Sequence, residues 1–314
     1  MITRPTVFIL GAGASAEYGF PLGEALVQRI KSGTSPSPRG DLRVDLARAD
    51  FKQSELDEFF RKLRDSDLLS IDAFLEGNQD RFQQIGKAAI AITILRAERD
   101  SQTGERWQGT NVPDDHWLRY VWNMMKSGCD SVDRFAQNRV SFVTFNYDRT
   151  IEWYFPIVLE NALNLGPREA RELLARSVPV VHLHGEIAHL EFGYSPGNEG
   201  HLAGEQVLQI AAGIRVVHDP TDEPQFKKAW ELFKQASLVC ILGFGYHPTN
   251  IERLRLKDFV PGGAQIPAST FQMGSAERSV AYGRIQHPGL AVSNFVDARG
   301  FKAERFLKEV AQLT

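Results

Sequence analysis

Residues that can bind or activate a substrate follow four apolar runs of the sequence. The four segments are Gly11-Ala12-Gly13-Ala14-Ser15 after Val7 to Leu10, Thr144-Phe145-Asn146-Tyr147-Asp148 after Val140 to Val143, His182-Leu183-His184-Gly185-Glu186 after Val178 to Val181, and Gly243-Phe244-Gly245-Tyr246-His247 after Leu238 to Leu242, with Asn250 shortly beyond. Asparagine, aspartate and histidine side chains can orient a ligand or a water molecule and can transfer protons. Ligands of open parallel sheets bind beyond the carboxyl ends of the strands, so the segments predict one binding site at a shared sheet edge.

The first segment fits a glycine fingerprint for phosphate binding. Residues Gly11 to Ala16 match the looser dinucleotide form G-x-G-x-x-G/A, directly after an apolar run. Glycines there let the backbone turn tightly and approach a pyrophosphate, and the N–H groups of the next helix face the anion. The acidic residue that a dehydrogenase needs about 20 positions further on is missing, because Ser32 to Gly40 is a proline-rich stretch. The segment therefore predicts a phosphate site and disfavours hydride transfer.

Each segment has a structural alternative when it is taken alone. Asn146 and Asp148 could form an Asx turn that caps the following helix. His184 could be a buried histidine with satisfied hydrogen bonds, and Gly243 and Gly245 could simply turn the chain. Their joint occurrence after successive apolar runs favours a site.

The spacing of apolar residues predicts strands that alternate with helices. Strands are expected at Thr6 to Leu10, Val140 to Phe145, Val178 to Leu183, Leu238 to Phe244, Ser269 to Met273 and Leu290 to Phe295. Helices are expected at Ser15 to Ile30, Asp80 to Glu98, His116 to Lys126, Ile151 to Ala162, Pro224 to Gln235, Asn250 to Asp258, Ala276 to Ile285 and Lys302 to Leu313. Such alternation is typical of a parallel sheet covered by helices on both faces. We therefore predict a single α/β domain over residues 1–314 with a Rossmann-like parallel sheet and a mainly helical insertion at about 41–135.

Composition excludes several classes of protein. The chain of 314 residues has a formal net charge of -3 at pH 7, which gives no global reason to expect nucleic-acid binding. Its two cysteines, Cys129 and Cys240, cannot build a four-cysteine zinc site, and Cys240 lies in an apolar run, as expected of a buried thiol. No apolar run approaches the roughly 20 residues that cross a bilayer, and the start lacks the organisation of a signal peptide. We expect a cytoplasmic protein without a metal cofactor and without membrane contact.

Taken in order, the four segments resemble the NAD-binding core of the sirtuins. The similarity is to the divergent sirtuin-like branch of bacterial NAD-consuming defence effectors, and it spans about Thr6 to Leu256. The stretch Ser70-Ile71-Asp72-Ala73-Phe74-Leu75-Glu76 also resembles a segment of that branch, although an ordinary helix with Phe74 and Leu75 buried would explain it as well. The resemblance implies a Rossmann-like sheet with a helical subdomain.

The resemblance also implies an NAD+ glycohydrolase, with NAD as the substrate. Its reaction breaks the bond between nicotinamide and ribose through a state with positive charge on the ribose, and it requires no metal. Asn146 would orient the ribose hydroxyls or the attacking water, Asp148 would contact the carboxamide, and His184 would act as the base or as a positioning partner. We rank His184 ahead of His182 because a glycine follows it. The residues assigned to binding NAD are Gly11, Ala12, Gly13, Ser15, Thr144, Asp148, Gly243, Gly245 and Asn250, with the phosphates on Gly11 to Ser15.

Differences from the deacylase sirtuins narrow the function. The deacylase sirtuins carry a four-cysteine zinc module, which this chain cannot build. They also carry an acidic-Phe-Arg run after the proline of their first loop, and Leu22-Gly23-Glu24 stands in that place here. The position between threonine and asparagine in their second motif is usually glutamine, and here it is Phe145. These differences disfavour a protein deacylase. The alternative to the hydrolase is a sensor or assembly module that binds NAD or ADP-ribose without turnover.

A freely active NAD hydrolase would kill its host, so we expect an off state. The resemblance implies that the enzyme depletes NAD in antiphage or anti-plasmid defence once it is activated. We expect a homo-oligomer and a regulatory protein partner, for which a translocase-type ATPase or an Argonaute-like protein is a family-based possibility.

Overall fold

A four-stranded parallel sheet forms the centre of the computed structural model, which describes residues 1–33, 41–100, 115–187, 204–216, 223–292 and 298–313. The strands are β1 (Thr6–Leu10), β2 (Val140–Thr144), β3 (Val180–His182) and β4 (Leu238–Leu242), in the order β3-β2-β1-β4. Thr6 pairs with both Val140 and Leu238, and Thr144 pairs with His182. The parallel pairing brings the carboxyl ends of all four strands to one edge of the sheet.

Alternating side chains along the strands build a hydrophobic core on each face of the sheet. Phe8 and Leu10 of β1 belong to one core, whereas Val7 and Ile9 belong to the other. Every residue of β1, β2 and β4 is buried, as expected of strands that are covered on both faces. The predicted fold class, an α/β protein with a Rossmann-like parallel sheet, is confirmed.

The described chain between β1 and β2 is helical and covers one face of the sheet. Its helices are α1 (Ala12–Ser15), which continues into the 3₁₀ turn Ala16–Tyr18, α2 (Gly23–Ser32), α3 (Leu42–Arg48), α4 (Gln53–Asp65), α5 (Ile71–Glu76), α6 (Gln79–Asp100), α7 (Trp117–Lys126) and α8 (Val132–Phe135). Helices α6 and α7 confirm the predictions for those segments. The single helix predicted for Ser15 to Ile30 is wrong, because Gly19 is left-handed with φ 89° and Pro21 lacks the N–H that would continue the helix. Most of the proline-rich stretch Ser32 to Gly40 lies outside the described residues.

The later helices divide between the two faces. Helices α9 (Thr150–Leu163), α10 (Pro167–Ser177) and α11 (Gly204–Ala212) pack in the same core as the helices before β2, and α12 (Glu223–Lys234), α13 (Pro248–Leu254), α14 (Leu256–Phe259) and α15 (Ser275–Ile285) pack in the other. A short helix, α16 (Ala303–Phe306), continues into a π-helical turn at Leu307–Ala311. The helix predictions for Ile151 to Ala162, Pro224 to Gln235 and Ala276 to Ile285 are confirmed, whereas the helix predicted for Asn250 to Asp258 is divided at Arg255, which has φ 50°. Among the residues that the structure describes, no helix is both long and apolar enough to cross a membrane.

The strand predicted at Ser269 to Met273 is wrong. The chain instead makes two isolated parallel bridges to β4 at Gln265 and Ala268. Pro267 lies between them and has no N–H to donate, which limits a continuous ladder. For the strand predicted at Leu290 to Phe295, residues 290–292 form no strand and the remainder lies outside the described residues.

Buried ion pairs join the long helix α6 to its surroundings. Arg96 Nη2 lies 2.6 Å from Asp45 Oδ2 on α3, and Arg149 Nη2 donates to Glu98 Oε1 at 2.6 Å. Trp153 Nε1 of α9 also donates to Glu98 Oε1, at 2.6 Å. Breaking one such buried pair typically costs about 3–5 kcal/mol because the remaining charge stays buried. Helix α6 is therefore firmly attached to the start of α9, directly after the second predicted site segment.

Candidate functional site

A cleft opens at the carboxyl edge of the sheet, where the sequence predicts the site. Its volume of about 190 Å³ is more than ten times the roughly 10–15 Å³ that one water molecule needs. The sheet side of the cleft is lined by Gly11, Ala12, Phe145, Asn146, Tyr147, Asp148, His184, Phe244, Gly245 and Asn250. The helical side is lined by Phe20, Pro21, Gly23, Leu26, Asp72 and Ile94.

Gly11 and Gly13 pack closely against the loop after β4. Gly13 N donates to Gly243 O at 2.9 Å. An added Cβ would lie 2.6 Å from Gly243 O at Gly11, and 2.8 Å from Gly243 Cα at Gly13. Gly243 itself has φ 57°, a conformation that favours glycine. The contact between the two loops therefore requires these glycines, which is a different reason from the predicted close approach to a pyrophosphate.

Asn146 ties the second loop to the first. Its Nδ2 donates to Gly11 O and to Ser15 Oγ, both at 3.0 Å, and its backbone N donates to Thr144 Oγ1 at 3.0 Å. Because a carbonyl oxygen only accepts, the contact with Gly11 fixes which way the amide faces. Both amide hydrogens are used inside the protein, so Oδ1 is the side-chain atom that can accept a hydrogen bond from a ligand. Asn146 thus has a structural role as well as a place in the cleft.

Asp148 forms an Asx turn directly before α9, which agrees with its structural alternative, although the N-cap residue Arg149 makes no side-chain cap. Its Oδ1 accepts from the backbone N of Thr150 at 3.2 Å and from the Thr150 hydroxyl. Burial raises the pKa of Asp148, although hydrogen bonds from Thr150 and Ser15 and the nearby charge of His182 act in the opposite direction. Since Asp148 also lines the cleft, the Asx turn and a ligand contact are compatible at this residue.

His184 lies in the turn after β3 and lines the cleft. The side chain is buried, with an exposed fraction of 4%, and its ring packs edge-on against Phe145 at 5.1 Å between centroids. Its backbone O accepts from Arg215 N at 2.8 Å. Gly185 has φ 72°, and a Cβ there would lie 1.9 Å from Gly213 O. The turn that presents His184 therefore requires the glycine that follows it.

His182 lies in a buried cluster of charges and does not line the cleft. Its Nδ1 is 2.9 Å from Asn146 O, and its Nε2 is 2.9 Å from Glu152 Oε1 and 3.8 Å from Glu186 Oε2. Burial lowers the pKa of His182, but the two carboxylates and the Asn146 carbonyl raise it, to about 9. Of the two histidines, His182 at the end of β3 and His184 after it, only His184 lines the cleft.

Gly245 and Asn250 form the part of the cleft that follows β4. Gly245 is exposed, and a Cβ there would meet no atom within 4 Å. Asn250 Oδ1 is buried and has no hydrogen-bond partner among the described residues. Leaving such an oxygen unsatisfied costs about 1–3 kcal/mol, so it favours a ligand that donates a hydrogen bond. Phe244 packs against Phe145 at 5.0 Å between ring centroids and supplies an apolar wall.

The helical wall contains residues that the sequence analysis did not assign to the site. Asp72 lies in the first turn of α5, whereas Phe74 and Leu75 of the same helix are buried in the core. The signal for Asp72 was present, because it stands in the stretch that resembles the sirtuin-like branch. Gly23 begins α2, and a Cβ there would meet no atom within 4 Å. Nothing in the sequence marks Ile94 as a site residue, because its neighbours along α6 are mostly apolar as well.

The structure brings most of the predicted site residues together. Those that line the cleft are Gly11, Ala12, Asn146, Asp148, His184, Gly245 and Asn250. The others, Gly13, Ser15, Thr144 and Gly243, hold the loops in place by hydrogen bonds or close packing. The candidate site thus consists of a lining layer and a supporting layer, both present in the predicted segments.

Metal-binding side chains come together at one place in the described ranges. Glu152, His182 and Glu186 offer ligand atoms within 4.8 Å of one another. His182 Nδ1 faces a carbonyl oxygen and its Nε2 makes a direct hydrogen bond to Glu152, so the cluster is arranged as an ion pair. Cys129 and Cys240 are buried free thiols, and burial raises the pKa of Cys240.

The described residues form an α/β protein with a cleft at the carboxyl edge of a Rossmann-like parallel sheet. None of the family models compared with the chain matches it, and no curated protein matches it either.

Proposed function

We propose that the protein is an NAD+ glycohydrolase, which cleaves the bond between nicotinamide and ribose. The observation that best supports this function is the convergence of Asn146, Asp148, His184 and Asn250 on one cleft, from the segments that follow three different strands. Those segments also carry the resemblance to the sirtuin NAD-binding core. NAD supplies hydroxyl and amide donors that suit the buried Asn250 oxygen.

In the proposed reaction the C1′–N bond of the ribose breaks, and nicotinamide leaves with the electron pair as a neutral ring. A water molecule forms the new C1′–O bond and loses a proton, so the products are nicotinamide, ADP-ribose and a proton. His184 accepts this proton, and Asn146 Oδ1 orients the water or a ribose hydroxyl. Asp148 contacts the carboxamide, and the pair Phe145 and Phe244 forms the apolar side of the cleft.

Nicotinamide release from NAD tests this proposal. A general base or a water-positioning group typically contributes about a hundredfold to ten-thousandfold in rate, so His184→Ala should lose activity by such a factor. His247→Ala is the matched control, because His247 is an exposed histidine after β4 that does not line the cleft. Equal rates for His184→Ala and the parent would remove His184 from the reaction.

The second candidate is a sensor or assembly module that binds NAD or ADP-ribose without turnover. Hydrogen bonds within the protein favour this candidate. Asn146 donates to Gly11 and Ser15, and Asp148 accepts from Thr150 before α9. A binding protein would need these bonds as much as an enzyme would. Titration of NAD separates the two candidates. Binding by a protein that releases no nicotinamide, alone or with its partner, supports the sensor.

We further infer that the hydrolase is held inactive until an activating event. A homo-oligomer and a regulatory protein partner, of the translocase ATPase or Argonaute-like kind, would supply the switch in defence against phages or plasmids. The cellular NAD level after expression, with and without a co-expressed candidate partner, measures this dependence directly. Full depletion by the chain alone would contradict the need for a partner.

A further inference from the structure

His182 is a buried side chain that the proposed reaction leaves without a role. Only 8% of its surface is exposed, and both ring nitrogens are at hydrogen-bond distance from groups of other segments. Nδ1 faces the carbonyl oxygen of Asn146, which can only accept, so Nδ1 carries a hydrogen. Nε2 faces the carboxylate of Glu152, which accepts as well when it is ionised. The geometry therefore suits a doubly protonated, positively charged imidazole.

The two partners of His182 lie on either side of the loop that carries the proposed site residues. Asn146 lies in the loop after β2, and Glu152 lies in the first turn of α9. Asp148 lies between them in the chain. His182 itself ends β3, so its ring joins β3 to both ends of this segment. Hydrogen bonds from a charged donor are roughly twice as strong as neutral ones, which suits this ring for holding a loop.

We propose that His182 is a positioning residue, which fixes the loop from Asn146 to Glu152 against β3 so that Asn146 and Asp148 meet the ligand correctly. This inference rests on the proposed function for its effect on catalysis, but its effect on the loop is independent of any activity. A displacement of about 1 Å at a reacting group can cost on the order of a hundredfold in rate. His182 thus acts through Asn146 and Asp148 without touching the substrate.

Two substitutions separate the functions of the two ring nitrogens. In His182→Asn the amide nitrogen occupies the place of Nδ1, so the bond to the Asn146 carbonyl is kept and the contact with Glu152 is lost. In His182→Gln the longer amide reaches the place of Nε2, so the contact with Glu152 is kept and the bond to Asn146 is lost. Both variants remove the charge and replace a buried ring by an amide, so each is a control for the other.

Hydrogen exchange of the peptide that contains Asn146 and Asp148 is the primary measurement, with nicotinamide release as the second. We expect faster exchange in this peptide for His182→Gln than for His182→Asn, with kcat for His182→Gln lower by about tenfold to a hundredfold and KM little changed. Equal exchange in both variants and the parent would overturn the positioning role. The positioning role would also be overturned if both variants lost the same activity in proportion to their fall in Tm. Such losses would be explained by lower overall stability of the protein.

The design keeps this inference separate from the proposed function. If the parent protein releases no nicotinamide, the hydrolase proposal fails, and the exchange measurement still decides whether His182 holds the loop. If both substitutions prevent folding, Glu152→Ala provides the test, because it removes the acceptor of His182 Nε2 and leaves the ring in place. Faster exchange of the loop in Glu152→Ala supports the role, and unchanged exchange contradicts it.

Discussion

A side chain added at Gly245 should block the cleft without disturbing the fold. A Cβ at this position meets no atom within 4 Å, and Gly245 is not among the glycines with positive φ, so valine fits the backbone there. Because Gly245 lines the cleft, the isopropyl group added by Gly245→Val occupies space that the ligand would use. We expect NAD affinity to fall at least tenfold, equivalent to about 1.4 kcal/mol, with Tm nearly unchanged.

Gly13 provides the contrasting perturbation. A Cβ there would lie 2.8 Å from the backbone of Gly243, so one of the two loops must move. Overpacking of this kind costs about 1–3 kcal/mol, and we expect Gly13→Ala to lower Tm by several degrees. Loss of NAD binding in Gly13→Ala would therefore be ambiguous, whereas loss in Gly245→Val would not.

Calorimetric titration of NAD and thermal melting of each variant check the reasoning. Gly262→Val is the matched control, since Gly262 also has no atom within 4 Å of an added Cβ but does not line the cleft. Parent-like affinity in Gly245→Val, with Tm unchanged, would show that NAD does not occupy this part of the cleft. A large fall in Tm for Gly245→Val would show that the space around Gly245 is not open.

Asn146→Ala should lower the rate of nicotinamide release. It should also lower the free energy of unfolding by about 1–3 kcal/mol, because Gly11 O and Ser15 Oγ lose their donor. Kinetics and thermal melting of the variant and the parent check both effects, and a parent-like rate of nicotinamide release in Asn146→Ala would remove Asn146 from the reaction. His182 has a pKa raised from 6.5 to about 9, so it stabilises the fold fully below pH 6.5 and this stabilisation is lost as the pH rises through about 9. We expect Tm, measured at pH values from about 6 to about 10, to fall less at alkaline pH for His182→Asn than for the parent. Identical dependence of Tm on pH in the two proteins would contradict a charged His182. Elemental analysis should find no zinc, and one tightly bound zinc per chain would contradict the expectation from the cysteine count.

The sheet was predictable because buried parallel strands have a strong sequence signal. β1 and β4 are continuous apolar runs that end at glycines, and the structure places both as predicted. Helix interruptions were harder to predict. The break before α2 depends on a left-handed Gly19 and on Pro21 together, whereas the spacing of apolar residues alone continues through both.

The candidate site was predictable as a set of loops but not as a set of contacts. Asn146 and His184 lie at the predicted sheet edge because residues after parallel strands must meet there. The packing of Gly13 on Gly243 could not be foreseen, since a glycine pattern is the same whether backbone or phosphate fills the space. Asp72 enters the cleft from a helix whose placement depends on tertiary packing, which no local pattern specifies.

The central strand β1 has a consequence for synthesis of the chain. Thr6 pairs with Val140 on one side and Leu238 on the other, so both neighbours of β1 are made long after it. At about 5–20 residues per second, β2 leaves the ribosome roughly 7–27 seconds after β1. During that interval the apolar strand β1 has two open edges and no partner in the sheet, and the described helices α1 to α8 are made before its first partner. Long-range pairing of this kind is intrinsically slow and exposes strand edges to aggregation, so we expect β1 to be the vulnerable strand during synthesis.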